Sequence, residues 1–474
     1  MYEKPGMSRR RFLQMAGVAG LTVGAGTGLA GLVTACGSEE VTTTTAAPAT
    51  TTTAAAPSSS TTAAQATTTT VSAGPETGRE IKVGYVTPVT GPLASFGEAD
   101  AYCVKSWQEA VAGGVLCGDG KLHPVNIIAR DCQSDSNRAA QVAGDLINND
   151  KVDVVMAAST SDTTIPVSDV CEASGMPCVC TDSPWQPWFF GRKGDPKTGF
   201  KWTYLSFWGI EDGLMNSIPT WDQIPTNKKV GVMWSNGADG LASADPVQGW
   251  PPFMTKAGYQ IVDPGRYQEG TEDYTAAISL FKKEACEIVA GTMSPPDMST
   301  VLKQATQQGL EPKSATIERA SLFPSVMEAT GSTGYGITNG SWWHPTYPFK
   351  SSLTGQTCQQ VADDYEAKTG KQWTQALLHY QVFEIVAAAL KAATDIESKD
   401  AIIGAVKAGV LETLVGPVDF SKGPMPNISK TPLTEGQWVP GTKWKYDLVI
   451  VGNATAPAVP LGGKVQPLSA FNRT

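Results

Sequence analysis

Polar residues follow several predicted strands, at positions where a ligand could be held. Ser161 begins a predicted helix, so its hydroxyl and the free amides of the helix end could accept an anion such as a carboxylate. The alternative is an ordinary helix cap with no ligand. Asp182 and Ser183 follow another predicted strand, and Glu318 and Arg319 follow a strand later in the chain. These side chains are candidates for binding rather than for bond-breaking chemistry.

Glu318 and Arg319 have opposite preferences for a ligand. The glutamate would favour a cationic group, whereas the arginine would favour a carboxylate through its planar fork of donors. An Arg–Glu pair that binds no ligand is the alternative interpretation.

Large aromatic residues cluster near these positions. The chain has 13 tryptophans, and Trp185, Trp208 and Trp343 lie in predicted loops or crossings, while Phe96 follows the first predicted strand. Flat rings at such places predict apolar walls for a ligand. The alternative for any single ring is that it fills the core beneath a hinge.

The sequence matches no catalytic signature that we recognise. It has no G-x-S-x-G turn, no penicillin-binding S-x-x-K set, no H-E-x-x-H and no phosphate-binding P-loop. Its histidines, His123, His344 and His379, have no nucleophile spaced to use them. The formal net charge of −9 comes without a basic stripe, which argues against nucleic acid as a partner. We therefore predict a binding protein without cofactor or metal, with a cell-wall hydrolase as the enzyme alternative.

Short apolar runs alternate with amphipathic segments from residue 81 onward, which is typical of parallel strands joined by helices. The predicted strands lie at 81–86, 125–129, 152–157, 177–181, 229–234, 260–262, 287–290, 315–318, 415–420 and 446–451. The predicted helices include 97–112, 136–149, 164–174, 377–393 and 401–408. The sequence thus predicts the α/β class, with two doubly wound parallel-sheet lobes.

The order of these segments predicts a chain that passes between the lobes three times. We assign residues 79–205 and 343–413 to lobe 1, and residues 206–342 and 414–474 to lobe 2. The strands at 415–420 and 446–451 are expected to return to lobe 2. Three crossings predict a three-stranded hinge.

The amino-terminal segment has the features of an export signal. Residues 8–13 read SRRRFL, a Gly/Ala-rich apolar run follows, and LVTAC ends at Cys36. We predict a twin-arginine (Tat) lipoprotein signal peptide over residues 1–35 and a lipidated Cys36. A membrane-spanning helix is the alternative. Residues 36–78 are rich in Thr, Ala, Ser and Pro, which predicts a disordered tether.

Eight cysteines remain after Cys36, and export favours disulfides. From chain direction and the rise per residue of helices and strands, Cys103 can reach Cys132, and Cys171 can reach Cys178. A zinc site built from Cys171, Cys178 and Cys180 is the alternative.

Several motifs together resemble the leucine/isoleucine/valine-binding proteins of ABC importers. Residues 83–97 read VGYVTPVTGPLASFG, and the later landmarks are PVSD at 166–169, YQEGTEDY at 267–274 and VGPVDF at 415–420. The resemblance spans the globular part and implies a type I periplasmic-binding fold, in which two lobes close over a small molecule.

The resemblance also suggests roles for single residues. It places Ser161 where the family holds an amino-acid carboxylate, Glu318 where the family holds the ammonium, and Tyr380 at a cleft tyrosine. Where amino-acid binders offer a threonine, this chain reads Asp182 and then Ser183, followed by Trp185. This departure, together with Arg319, favours an aromatic or other carboxylate as ligand, with an amino acid or amide as the alternative.

The expected function is therefore that of an extracytoplasmic solute-binding protein, held at the cell membrane by its lipid and facing the periplasm or cell wall. Its expected partners are a small-molecule ligand and the membrane subunits of an ABC permease, and we expect a monomer. A ligand receptor that signals through a separate partner is the alternative function.

Overall fold

The computed structural model describes residues 74–473. Its strands are β1 (Ile81–Thr87), β2 (Val115–Leu116), β3 (Leu122–His123), β4 (Val125–Asp131), β5 (Val154–Ala157), β6 (Cys178–Cys180), β7 (Thr203–Ser206), β8 (Lys229–Ser235), β9 (Gln260–Val262), β10 (Arg266–Tyr267), β11 (Ile288–Thr292), β12 (Ser314–Glu318), β13 (Thr338–Ser341), β14 (Val410–Thr413), β15 (Gly416–Asp419), β16 (Ile428–Ser429), β17 (Thr434–Pro440) and β18 (Tyr446–Gly452). Its α-helices are α1 (Asp100–Ala110), α2 (Ser136–Asp145), α3 (Thr160–Ser174), α4 (Trp185–Phe190), α5 (Ile210–Trp221), α6 (Ala238–Ser243), α7 (Trp250–Lys256), α8 (Thr275–Lys283), α9 (Pro295–Gln307), α10 (Pro324–Ala329), α11 (Cys358–Thr369), α12 (Tyr380–Ala392) and α13 (Lys399–Ala408).

The first sheet has the order β16-β7-β6-β5-β1-β4, and all its pairs are parallel. Strand β5 reads VVMA and is buried at every position, as expected of a parallel strand covered on both faces by helices. Because the strands run in one direction, the loops after β1, β5 and β6 meet at one edge of the sheet. The predicted strands of lobe 1 are therefore confirmed.

The second sheet has the order β10-β8-β11-β12-β13-β17-β18, with β9 paired to β8. It is parallel from β10 to β13, whereas β17 and β18 are antiparallel to their neighbours. Strand β17 was not predicted, because its sequence TEGQWVP begins with polar residues that are buried here. The two-lobe α/β class is confirmed, with two antiparallel strands at one side of a parallel sheet.

The chain passes between the two sheets three times: after β7, after β13 and between β16 and β17. Strand β15 falls in the segment predicted to return to lobe 2, but it forms a hairpin with β14 instead. Strand β16 then pairs with β7 in the first sheet. The last crossing thus comes after Ser429, beyond the lobe boundary placed at 413/414.

Helix α3 starts four residues earlier than the predicted 164–174. Its first residues turn sharply out of β5, since Ser159 and Thr160 have positive φ angles of 78° and 53°. The helix ends at Gly175, whose left-handed conformation suits glycine. The early start places Ser161 and Asp162 in the first turn of the helix, at the carboxyl edge of the first sheet.

All eight cysteines of the described chain are buried and free, so the predicted disulfides Cys103–Cys132 and Cys171–Cys178 are not formed. The Cys132 thiol lies 3.4 Å from the Thr163 hydroxyl. Cys178 contacts the thiols of Cys171 and Cys180, with 3.5 Å between the sulfurs of Cys178 and Cys180.

Two findings bear on metal and membrane within residues 74–473. These residues contain no group of His, Cys, Asp or Glu side chains placed to hold a metal ion. They also contain no helix that is long and apolar enough to span a membrane. The predicted signal peptide and lipidated Cys36, and nearly all of the predicted tether, lie outside the described residues.

Candidate functional site

A cavity lies between the carboxyl edges of the two sheets and encloses about 530 Å³ of space not filled by protein atoms, part of it open to solvent. Lobe 1 lines it with the loops after β1, β5 and β6, and lobe 2 with the loops after β8, β11 and β12. The chain crossings after β7 and β13 supply further lining residues. Ligands of open α/β sheets bind at such edges.

The first turn of α3 is bound to the opposite lobe. The hydroxyl of Ser161 lies 2.7 Å from that of Ser183, and it donates to Asp239 Oδ1 of lobe 2 at 2.5 Å. A carboxylate of the protein therefore occupies the serine hydroxyl that was expected to hold an anionic ligand group.

Arg319 forms the second link between the lobes. Its guanidinium donates to Asp162 Oδ2 of lobe 1 at 2.6 Å and to Glu269 Oε1 of lobe 2 at 2.5 Å. Its Nε lies 3.5 Å from Asp239 Oδ2. Burial raises the pKa of Asp162 to about 6 even though the positive charge of Arg319 opposes this shift. The arginine is thus neutralised by carboxylates of the protein.

Asp182 belongs to a buried network in lobe 1. Its Oδ2 lies 3.0 Å from His379 Nε2, and His379 Nδ1 lies 2.8 Å from Asp100 Oδ1. Burial lowers the pKa of His379, but the charges and hydrogen bonds of Asp100 and Asp182 outweigh it and raise the pKa to about 9. Burial raises the pKa of Asp182 to about 7, although His379 opposes this shift. His379 therefore supplies a cation to the Asp182 carboxylate.

Glu318 lies in a different environment on the second sheet. Its Oε1 accepts the Gly340 N–H at 2.9 Å, whereas its Oε2 has no hydrogen-bond partner among residues 74–473. Gly340 pairs with Glu435 across β13 and β17, and its missing side chain leaves room for Glu318 there. Burial raises the pKa of Glu318 to about 7. Burial and the Glu318 charge raise the pKa of Glu435 well above its usual range.

Aromatic rings form a continuous wall of the cavity. The ring of Phe207 lies 5.0 Å from Trp208 and 5.2 Å from Trp342, and Phe96 lies 6.1 Å from Trp342. Trp250, at the start of α7, lines the cavity from lobe 2. The indole N–H groups of Trp208 and Trp342 are buried without an acceptor in the described part of the chain.

Three residues that line the cavity have a left-handed backbone conformation. Thr160, Asp182 and Arg319 line the cavity and have positive φ angles of 53°, 63° and 69°. Such angles are unfavourable for residues with a side chain and cluster at functional sites. The cavity thus combines left-handed backbone conformations with unpartnered polar atoms, which makes it the candidate ligand site.

The amino-acid sequence identifies the protein family. A family model described as periplasmic binding protein matches residues 80–433. The chain belongs to the periplasmic binding protein family. This family agrees with the prediction of a binding protein rather than an enzyme.

Individual relatives agree with this assignment. The Leu/Ile/Val-binding protein of Escherichia coli K12 is 24% identical over 242 residues, which are 49% of this chain and 59% of that protein. The chain thus matches little more than half the length of this curated relative. The resemblance to the Leu/Ile/Val-binding proteins is confirmed.

Two solved structures show the same fold. The branched-chain amino acid transporter substrate-binding protein LivJ of Streptococcus pneumoniae, in complex with isoleucine, is 18% identical, with a TM-score of 0.62 over 79% of this chain and 99% of that one. A solute-binding protein of an ABC transporter from Rhodopseudomonas palustris BisB5, in complex with 3,4-dihydroxybenzoic acid, is 17% identical, with a TM-score of 0.63 over 78% of this chain and 96% of that one.

This periplasmic binding protein brings several of the predicted site residues together. Phe96, Asp182, Trp208, Glu318 and Arg319 line the cavity. Ser161 and Ser183 lie beside it, joined to each other and, through Ser161, to Asp239 of lobe 2.

Other predicted residues face elsewhere. Trp185 donates its N–H to Glu211 Oε1 at 3.0 Å. Trp343 is fully buried 5.9 Å from the ring of Trp373, and Tyr380 packs 6.4 Å from Phe383. Consecutive side chains leaving a strand point to opposite sides, so Trp342, not Trp343, lines the cavity.

Sequence reasoning missed some residues that build the site. Asp162 stands directly after Ser161, in the first turn of α3, and this position alone could have made it a candidate. His379 offered none, because it lies 197 residues from Asp182 in the chain. Glu435 was hidden in the unpredicted strand β17.

Proposed function

We propose that the protein is a lipid-anchored solute-binding component of an ABC importer, which holds a small organic molecule in the cavity between its lobes. The family match supports the binding role, and the names of the relatives link it to transport. The ligand would be delivered to the membrane subunits of a permease when the lobes close.

The observation that carries this proposal is the set of polar atoms in the cavity wall. Thr160 Oγ1, Trp208 Nε1, Trp342 Nε1 and Glu318 Oε2 are buried and have no partner within residues 74–473. An unsatisfied buried polar group costs about 1–3 kcal/mol. Several such groups around one cavity are explained if a ligand bonds to them.

Closure would follow from contacts that join the two lobes. Arg319 reaches Asp162, Ser161 reaches Asp239, and Ser325 of lobe 2 donates to Glu98 Oε2 of lobe 1 at 2.7 Å. A ligand that touches both walls adds to these contacts only when the lobes are closed. It therefore shifts the population toward the closed form by its difference in affinity for the two forms.

Calorimetry on the full-length chain tests the binding role. A panel of amino acids, aromatic acids, amides and amines should contain a ligand that raises the melting temperature, because it binds only the folded protein. Trp208→Ala should abolish that shift, whereas Trp202→Ala, a tryptophan that does not line the cavity, should retain it. A ligand bound equally well by both variants would contradict this site.

Uptake separates import from the receptor alternative. Deletion of the protein should abolish uptake of the ligand found by calorimetry if the protein serves an importer. Unchanged uptake, together with loss of a ligand response, would favour a receptor that acts through a separate partner.

The proposed anchor has its own test. Metabolic labelling with a fatty acid should mark the wild-type chain and fail to mark Cys36→Ala. Equal labelling of the two chains would rule out Cys36 as the lipid attachment site.

A further inference from the structure

We propose that the ligand of the cavity is a small organic cation without a carboxylate, with its charge held at Glu318 against the aromatic wall. This inference rests on the proposed solute-binding function and names the chemical class of the solute. Glu318 is also where the family resemblance places a ligand ammonium, so the new element is the absence of a ligand carboxylate. This departs from the carboxylate ligand that the sequence favoured, and the geometry of the charged groups is the reason.

Carboxylates of the protein lie at both positions expected to receive an anion, although the buried Arg319 Nε has no hydrogen-bond partner within residues 74–473. The Ser161 hydroxyl at the start of α3 donates to Asp239 at 2.5 Å. Arg319 is bonded to Asp162 and Glu269 and lies 3.5 Å from Asp239. A ligand carboxylate at either position would have to displace these carboxylates or lie beside them, where like charges in a buried site repel strongly.

Glu318 is the carboxyl group that remains available. It is 7% exposed, it lines the cavity, and its Oε2 has no partner in the described part of the chain. Its neighbour on β17 is a second carboxyl, Glu435, whose Oε1 is also unpartnered there. No Lys, Arg or His side chain within residues 74–473 forms an ion pair with Glu318, so a ligand cation would provide the missing positive charge.

The aromatic residues suit the same ligand. A cation is attracted to the face of a tryptophan or phenylalanine ring, most strongly where water is excluded. Phe96, Trp208, Trp250 and Trp342 line the cavity from both lobes and are 1–7% exposed. The indole N–H groups of Trp208 and Trp342 could still donate to an uncharged oxygen on the ligand.

Four compounds of similar shape and different charge test the inference on the wild-type chain. They are isopentylamine as the cation, isovaleramide as the neutral form, isovalerate as the anion and leucine as the zwitterion. Calorimetry at about pH 8, where Glu318 is ionised, should show isopentylamine binding at least about tenfold more tightly than each of the others. Glu318→Gln should remove most of this preference, whereas the exposed Glu412→Gln should retain it.

The other outcomes separate this inference from the function on which it rests. Tightest binding of leucine, isovalerate or isovaleramide would overturn the cation and leave a solute-binding protein. Failure of all four to bind would also overturn it. If the broad panel described above then yields no ligand, the proposed function fails as well. The comparison on the wild-type chain decides the matter even if Glu318→Gln does not fold.

Discussion

The two clusters of carboxyl groups that flank the cavity differ in whether a cation accompanies them. Around Arg319, the carboxylates of Asp162, Asp239 and Glu269 surround one guanidinium. Around Glu318, the neighbour is another carboxyl, Glu435. The Arg319 cluster satisfies its charges within the protein and joins the lobes. The Glu318 cluster leaves a charge unmatched, and we infer that a ligand matches it.

Removing the cation of the first cluster should have the largest effect. Arg319→Ala leaves the buried Asp239 and the half-buried Asp162 and Glu269 without their cation, and removing one partner of a buried ion pair typically costs about 3–5 kcal/mol of unfolding free energy. Denaturant unfolding of the full-length chain measures it. Lys422→Ala, which breaks an exposed pair with Asp419, is the control and should cost less than about 1 kcal/mol. Equal losses in the two variants would show that the Arg319 cluster does not stabilise the folded protein.

Neutralising the second cluster should instead help stability at high pH. The pKa of Glu318 is raised by burial to about 7 from the ordinary value of 4.5. Its contribution to stability is therefore full below about pH 4.5 and is lost as the pH rises through about 7. Glu318→Gln avoids this loss, so relative to wild type it should gain up to about 3 kcal/mol between about pH 5 and about pH 8.

Unfolding free energies at several pH values check this expectation. The exposed Glu412→Gln should show no such gain. A Glu318→Gln variant that loses stability at high pH relative to wild type would mean that a cation of the protein already compensates Glu318.

The sequence could locate the loops that line the cavity, but not which of their side chains bond to one another. Parallel strands end at a common edge, so Asp182 and Glu318 could be placed at the cavity from the pattern of strands alone. Arg319 could be placed at the cavity in the same way. Its role could not, because it binds Asp162 and Glu269, which come from distant segments, rather than a ligand carboxylate. Local sequence carries no record of such contacts.

Aromatic residues show the same limit on a smaller scale. Phe96 and Trp208 were assigned to the cavity and line it. Trp343 was predicted to line the cavity, but its neighbour Trp342 does so. The difference depends on the side of the chain on which each ring lies after β13. A shift of one residue reverses that side, so a pattern without register cannot decide it.

A smaller effect is expected from one indole N–H. Trp208→Phe keeps an aromatic ring and loses a donor that is unpartnered within residues 74–473. Affinity for 3-methoxypropylamine, an amine with an uncharged ether oxygen, should fall about 2- to 10-fold. Trp343→Phe, which alters a core residue outside the cavity wall, should leave the affinity unchanged. The reverse order of effects would place the ligand on the other side of β13.

Proton release on binding shows whether Glu318 receives the ligand's charge. Burial raises the pKa of this carboxyl to about 7, so a cation that binds it near pH 7 should lower that pKa and release protons. Titration of the full-length chain with isopentylamine in two buffers of different ionisation enthalpy measures the number of protons released. We expect clear proton release from wild type and less from Glu318→Gln, in which only Glu435 remains to give up a proton. Equal affinity and equal proton release in the two proteins would contradict this expectation.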